Sequence, residues 1–300
     1  MGSSALKNFS LALSGSISSL PLLPCDPDHT PEQLINAAKR RERHDGRSFE
    51  EMRAMCLQTR SLAAAAGSAF VSVGKTKLNC AVYGPRPTRK PASQDRGYLN
   101  LEFNYAPFSS SANEPSSERD NSHLATLLHQ SLNAVVRLEK YPKSTIDVCV
   151  MVLEDDGGVL AAALTCIGLA LSDAGIEMLD IVTGAAGCAV SLEQPQGPLR
   201  VALLLDPDAD EVKALANKDF TLVEIGYCPA LSSVCFLHAT GPLISSDSGE
   251  QLLGLCEAAC NAVADEVRAC LRRSFCQREE EKAAESASHT SDNVAVAPVS

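Results

Sequence analysis

Three hundred residues with 45% hydrophobic content are enough to bury one large core or two fused lobes. A formal charge of −11 is unusual for a chain that grips nucleic acid unaided, although it leaves room for local basic patches or for RNA contacts shared with basic neighbours. No apolar run reaches transmembrane length, and no basic segment followed by a clean apolar core opens the chain, so neither a membrane span nor a secretory signal is expected. The twelve cysteines stand singly, many inside apolar runs (Cys80, Cys149, Cys166, Cys188, Cys235), and no pair has zinc-ligand spacing. Cys256 and Cys260 lie one helical turn apart, which fits core packing. The expectation is reduced, buried thiols in a nuclear or cytosolic protein.

Residues 1–30 are rich in Ser, Leu and Pro without a clear period and read as a flexible extension. Thr30 as N-cap and Pro31 at the first helical position predict a short helix through Arg40. The fold proper is expected to begin at Arg43-His44-Asp45-Gly46-Arg47, whose charges also suit a turn with local ion pairs. Leu57–Leu62 and Gly67–Arg86 read as a meander with a hairpin turn at Gly74-Lys75-Thr76-Lys77. Gly74-Lys75-Thr76 is a fragment of a nucleotide-binding signature, but the rest of that loop is missing. Arg89, Lys90 and Arg96 lie in a Pro-rich loop that reads as a solvated insertion. Tyr98–Phe108 is a further strand element and residues 109–122 a polar loop. The helix after it carries Leu124, Leu127, Leu128, Ser131, Val135, Val136 and Leu138 along one stripe.

Ile146–Leu153 is β-branched and apolar, a strand buried in a sheet. Asp155-Asp156-Gly157-Gly158 then turns the chain, its glycines free to take positive φ. Leu160–Ala174 is rich in Ala and Leu and almost uncharged; a helix apolar nearly all round belongs at the centre of a domain. Gly175 stands where a C-terminal cap belongs, and Ile181-Val182 opens a new strand. A strand, a diglycine turn and a buried helix can cradle a phosphate, because helix N-termini attract anions. Beyond a polar connector, Val201–Leu205, Phe220–Gly226 and Val234–Ala239 read as strands. Ser248–Arg273 reads as a long helix with Leu252, Leu255, Cys256, Ala259, Val263, Val267, Cys270 and Leu271 on one side. Residues 277–300 combine Glu279-Glu280-Glu281 with Ser, Ala and Pro and read as a disordered acidic tail.

Several of these segments resemble the RNase PH family. Asp156-Gly157-Gly158, Ala161-Ala162-Ala163 and Asp173-Ala174-Gly175-Ile176-Glu177-Met178 are similar to its acidic-Gly-Gly turn, Ala-rich helix and Asp-Ala-Gly-Ile-x-Met exit. Arg43-His44-Asp45-Gly46-Arg47 resembles its Arg-x-Asp-Gly-Arg entry, and Met52-Arg53 stands where the family has Leu-Arg. Gly67-Ser68-Ala69, the hairpin with Gly74, Thr76 and Leu78 (Val in the family) and Gly84-Pro85-Arg86 resemble its meander. The likeness covers most of residues 43–273. It implies an α+β fold of two βα lobes with mixed sheets and long helices: lobes at 43–190 and 191–275, an N-terminal extension at 1–42 and a disordered acidic tail at 276–300.

The departures concern chemistry. Active members of the family follow the diglycine with Thr or Ser and then Arg, which help hold the attacking phosphate; here Val159 and Leu160 stand there, with side chains that cannot donate to or neutralise an oxyanion. The Glu and Arg that such enzymes place in the first turns of the preceding helix correspond to His123 and Thr126. Of their two later acidic positions, one falls on Lys213 and the other on Asp219, which reads as a strand-entry residue. One carboxylate opposite an apolar cradle is not expected to support phosphorolysis, so no catalytic residue, metal site or cofactor is expected.

Leu153–Gly157, Ala161–Thr165 and Gly175–Met178 are most similar to a non-catalytic branch of the family found in the ring of the eukaryotic RNA exosome. That resemblance implies a six-membered ring of RNase PH-like chains capped by S1/KH-domain proteins. It further implies RNA threaded towards a separate hydrolytic nuclease, and a place in the nucleus, nucleolus and cytoplasm with no membrane partner. Arg43, Arg47, Arg86 and Arg119 are the candidate RNA contacts, each with a competing ion-pair explanation. Two other readings stand beside this one: an active phosphate-dependent 3′→5′ exoribonuclease, and a protein-binding module outside any exosome.

Overall fold

The computed structural model describes residues 43, 45–87, 95–109, 118–192, 200–215, 219–242 and 246–292. The helix expected at 31–40 and the cations Arg89 and Lys90 lie outside the described residues.

The first sheet begins as the expected meander. Strands β1 (Met55–Thr59), β2 (Gly67–Val73) and β3 (Thr76–Pro87) pair antiparallel in sequence, and Gly74 takes φ +58° in the turn between the last two. Strand β5 (Ser144–Glu154) lies antiparallel beside β3, and β4 (Tyr98–Tyr105) lies parallel to β5 at the edge, so the order is β1-β2-β3-β5-β4. A parallel neighbour needs a crossover, and helix α1 (Glu118–Val135) supplies it between β4 and β5. In β5 the residues Ile146, Val148, Val150 and Val152 are buried, whereas Met151 on the other face is 42% exposed. The strand expected to be buried is therefore covered on one face only.

Helix α2 (Val159–Asp173) sits between that sheet and a second one, packing on β2 and β3 from one side. Every residue from Val159 to Leu171 is buried. The small residues allow both sheets to approach the helix backbone. A Cβ on Gly67 would lie 2.2 Å from the Ala174 nitrogen, and one on Gly184 would lie 2.2 Å from the Ala161 carbonyl oxygen.

The second sheet has the order β7-β6-β8-β9 and is antiparallel throughout, built from β6 (Thr183–Leu192), β7 (Arg200–Leu205), β8 (Phe220–Cys228) and β9 (Ser233–Thr240). β6 straddles the lobe boundary expected at residue 190 and pairs only with β7 and β8. A short helix α3 (Ala209–Leu215) follows β7. On the far face of this sheet lies α4 (Ser246–Asp292), whose Leu252, Cys256 and Cys260 pack against Ala185, Ala189 and Ile225. Farther along, Val263 and Val267 join the main core, and Arg278 pairs with Asp173 at the end of α2.

The backbone of 276–292, expected within a disordered tail, is helical. Its Glu, Lys and Ala residues are good helix formers, and extending an existing helix requires no new nucleus. The α+β class with two sheets and long helices is as expected. Among the described residues, no helix is long and apolar enough to cross a membrane.

Candidate functional site

The diglycine turn brings both sheets and α2 to one place. Gly157 and Gly158 take φ +89° and +66°, and a Cβ on Gly157 would lie 3.0 Å from the Pro207 carbonyl oxygen. The turn after β7 therefore closes directly onto the turn before α2, where Ala209 N–H donates to the Asp156 carbonyl at 3.0 Å. Thr76 Oγ1 donates to the Gly157 carbonyl at 2.9 Å and accepts from Asp156 N–H at 3.1 Å, tying in the β2–β3 hairpin.

Two arginines of the entry region tie this junction together. Arg53 donates to both carboxylate oxygens of Asp206 (2.7 and 2.9 Å), to the Asp156 carbonyl at 2.7 Å and to the Gly157 carbonyl at 3.0 Å. Arg43 forms a two-pronged pair with Glu211 and donates to the carbonyls of Leu205 (2.6 Å) and Asp206 (3.0 Å). Burial opposes the charge on both guanidinium groups. Hydrogen bonds and the carboxylates, Glu211 for Arg43 and Asp206 for Arg53, outweigh it and hold both above the ordinary arginine value. At Asp156 burial and the nearby Asp208 charge raise the carboxyl, against the pull of Arg53.

This corrects part of the list of candidate RNA contacts. Arg43 is 4% exposed and bonded into the protein interior, so it cannot meet a phosphate on a passing strand. Arg47 keeps only 12% of its side chain exposed and pairs with Asp45 and Asp206. Arg86 differs: it is exposed on β3, its guanidinium carbon 5.1 Å from the Tyr83 ring centroid. Arg119 lies in the first turn of α1. In the Pro-rich loop, Arg96 makes an exposed pair with Glu139 at 3.2 Å.

The N-terminus of α2 is where a phosphate cradle would lie, and it is filled from within. The side chains of Val159 and Leu160 are buried in the core. Glu224, on the face of β8 turned to α2, accepts from Leu160 N–H at 3.2 Å and from Ala161 N–H. Only 7% of this residue is exposed, and among the described residues no arginine or lysine pairs with it. Burial pushes its carboxyl up to about 7; Asp155 adds to the rise, and the two backbone donors pull the other way. The same two acids, after burial itself, raise the Tyr105 hydroxyl. Glu224 was not singled out in the sequence, although a lone carboxylate inside the apolar strand Phe220–Gly226 is a readable signal of an unusual environment.

The other positions that departed from the enzyme pattern make local contacts or face solvent. His123 is exposed on α1, and Thr126 Oγ1 donates to the Ser122 carbonyl of its own helix at 2.8 Å. Lys213 makes an exposed pair with Asp210 at 3.4 Å, and Asp219 is exposed at the entry to β8. Among the described residues, no group of three or more His, Cys, Asp or Glu is placed to hold a metal ion.

A model of the 3′ exoribonuclease family, domain 1 (RNase PH), matches residues 51–177, from just before β1 to the exit of α2. Over 233 residues the chain is 31% identical to an Arabidopsis thaliana exosome complex component described as RRP41-like, spanning 77% of this chain and 85% of that protein. The chain belongs to the RNase PH family. Its RNase PH relatives also include the human exosome complex component MTR3, 34% identical over 231 residues that span 72% of this chain and 80% of that one. The exosome complex component Rrp41 of Methanopyrus kandleri is 31% identical over 251 residues, with 83% and 98% spanned. Rice Rrp46 shares the RNase PH fold at a TM-score of 0.61 and 23% identity, covering 75% of this chain and 98% of its own.

Proposed function

We propose that this RNase PH-family chain is a catalytically silent subunit of an exosome core ring, supporting the ring and helping to guide RNA to 3′→5′ processing and degradation. Its partners are other RNase PH-like ring subunits, S1/KH-domain cap proteins and RNA, and it works in the nucleus, including the nucleolus, and in the cytoplasm. Similarity to exosome components, human MTR3 among them, supports the assembly.

The observation that carries the silence is Glu224 at the N-terminus of α2. A phosphate bound there needs free backbone donors and a neutralising cation. Here the Leu160 and Ala161 donors serve the protein's own carboxylate, and Arg43 and Arg53 serve Glu211 and Asp206. With Glu224 ionised, an arriving anion would meet a repulsion of about 4 kcal/mol per charge pair at ~4 Å and an effective dielectric constant of ~20. Arg86 and Arg119 are the RNA contacts in this reading.

The test combines composition with chemistry. The endogenously tagged chain, purified at moderate salt, should appear by native mass in a complex with several different RNase PH-like chains and S1/KH caps. A homohexamer or a lone chain would overturn the assembly. Mixed with RNA bearing a free 3′ end, inorganic phosphate and Mg²⁺, the isolated chain should release no nucleoside diphosphate. Release that disappears on Asp219→Asn would overturn the silence.

A further inference from the structure

The two edges of the second sheet are treated differently by the rest of the chain. At β7 the Leu205 N–H donates to the Phe49 carbonyl at 2.8 Å, so the entry segment covers part of that edge. At the opposite edge β9 pairs with β8 and, among the described residues, with no other strand. Such an edge keeps a row of N–H and C=O groups that a further strand can use.

The side chains beside that edge are apolar. Val234 and Leu237 stand opposite Tyr227 and Ile225, which pack in the core beneath α4. Directly opposed residues of an antiparallel pair share a face, so both aliphatic side chains lie on the α4 side of the sheet. Helix α4 packs on β6, β7 and β8, and Val234 and Leu237 remain 52% and 58% exposed. Phe236, on the reverse face, is buried in the main core and holds the strand in place. The Tyr227 hydroxyl donates to the Glu257 carboxylate, which puts Glu257 on the flank of α4 that looks toward β8 and β9. Leu253, one helical turn before it on the same flank, is also exposed. An apolar shelf thus lies between an unpaired strand edge and the side of a helix.

Charge selects the occupant. From Asp219 to Val267, through β8, β9 and the first half of α4, the chain carries seven carboxylates and no Lys or Arg. Glu224 is buried on the other face, but Glu250, Glu257 and Asp265 are exposed along α4. A second copy docked edge to edge through β9 would set these acids against their own counterparts. Residues 1–30 offer one lysine, Lys7, against Asp26 and Asp28. We propose that β9 and the facing flank of α4 form a docking surface for an extended, basic segment of a partner protein. The segment adds a strand to β9 through its main chain, its aliphatic side chains rest on Val234 and Leu237, and its Lys or Arg side chains meet Glu250 and Glu257. The surface lies on the opposite face of the sheet from Glu224, so it serves the chain whether or not the α2 N-terminus is silent.

The test uses the full-length chain and fluorescent peptides of about ten residues, a strand's length, that alternate Val with Lys or Arg. Anisotropy at low salt should show saturable binding that high salt removes. Leu237→Lys should weaken it about tenfold and Glu250→Lys several-fold, while circular dichroism of both variants matches the parent. A peptide with Glu in place of its cations should not bind, and a central Pro, which lacks the main-chain donor, should weaken binding. Hydrogen exchange should slow across Ser233–Thr240 when the basic peptide is added. No binding by the basic series, equal binding of the acidic peptide, or protection confined to other strands would overturn the proposal. So would a β9 already fully protected in the free chain: if independent of concentration, the chain's own residues 1–42 fill the shelf, and if concentration-dependent, a second copy does. The peptide series on the unaltered chain decides this even where a variant fails to fold.

Discussion

Two sets of buried carboxylates stand close together in this protein, with opposite surroundings. Asp206 and Glu211 are 3% and 2% exposed and each is held by an arginine brought from the entry segment. Glu224 is 7% exposed and, among the described residues, is held by the Leu160 and Ala161 N–H groups without an arginine or lysine. Where a guanidinium faces the acid, the pair joins the start of the chain to the second sheet. Where only a helix N-terminus faces it, two peptide donors do not offset desolvation, and the carboxyl rises to about 7. The lesson is that a helix N-terminus alone is a weak counter-charge inside a core.

The largest effect should come from breaking a paired acid. Arg53→Met removes the two-pronged partner of Asp206 and the donors to Asp156 and Gly157, leaving the buried carboxylate only the longer contact with Arg47, and should cost about 3–5 kcal/mol in urea denaturation. A double-mutant cycle with Asp206→Leu should recover a large part of that loss; strict additivity would mean that the two side chains do not act as a pair.

Glu224→Gln sharpens the other half of the comparison. The folded-state value of about 7 lies above the ordinary carboxyl value of 4.5, so the folded protein holds the proton more tightly than the unfolded chain. The protonated carboxyl therefore contributes stability that is present below about pH 4.5 and is lost as pH rises to about 7. The glutamine variant should remove that decline and be more stable than the parent above pH 7 by about 2–3 kcal/mol. Parallel stability–pH curves for the two proteins would count against a raised Glu224.

Charge reversal of Arg86, exposed on β3, and of Arg119, in the first turn of α1, tests the remaining candidate RNA contacts. It should weaken protection of RNA by the assembled ring and flatten its salt dependence, while native mass shows the ring intact. An unchanged crosslinking pattern would remove both residues from the RNA path. The smallest effect belongs to Arg96→Ala, which breaks an exposed pair with Glu139 and should change stability by less than about 1 kcal/mol.

Much of this was legible along the chain, because it depends on near neighbours. The almost uncharged run Leu160–Ala174 announced a central helix, and the apolar run Ile146–Leu153 announced a strand; both are read from local period and composition. The apolar Val159-Leu160 pair after the diglycine was also plain. The fate of the entry arginines was not. Arg43 lies 168 residues from Glu211, and Arg53 lies 153 from Asp206, so no local pattern distinguishes a cation aimed at RNA from one locked inside. β6 was likewise ambiguous: an apolar strand does not state which sheet it joins, and here its hydrogen bonds go to β7 and β8.

The sequence by itself determined most of the strands and the central helix, the small-residue centre and the loss of polar side chains after the diglycine, since each is a property of adjacent residues. Only the tertiary structure decided what became of the charges. Pairing and burial depend on which distant segments meet, and that meeting ties Arg43 and Arg53 to acids of the second half and leaves Arg86 in solvent. It also sets the Glu224 carboxylate against the first N–H groups of the central helix.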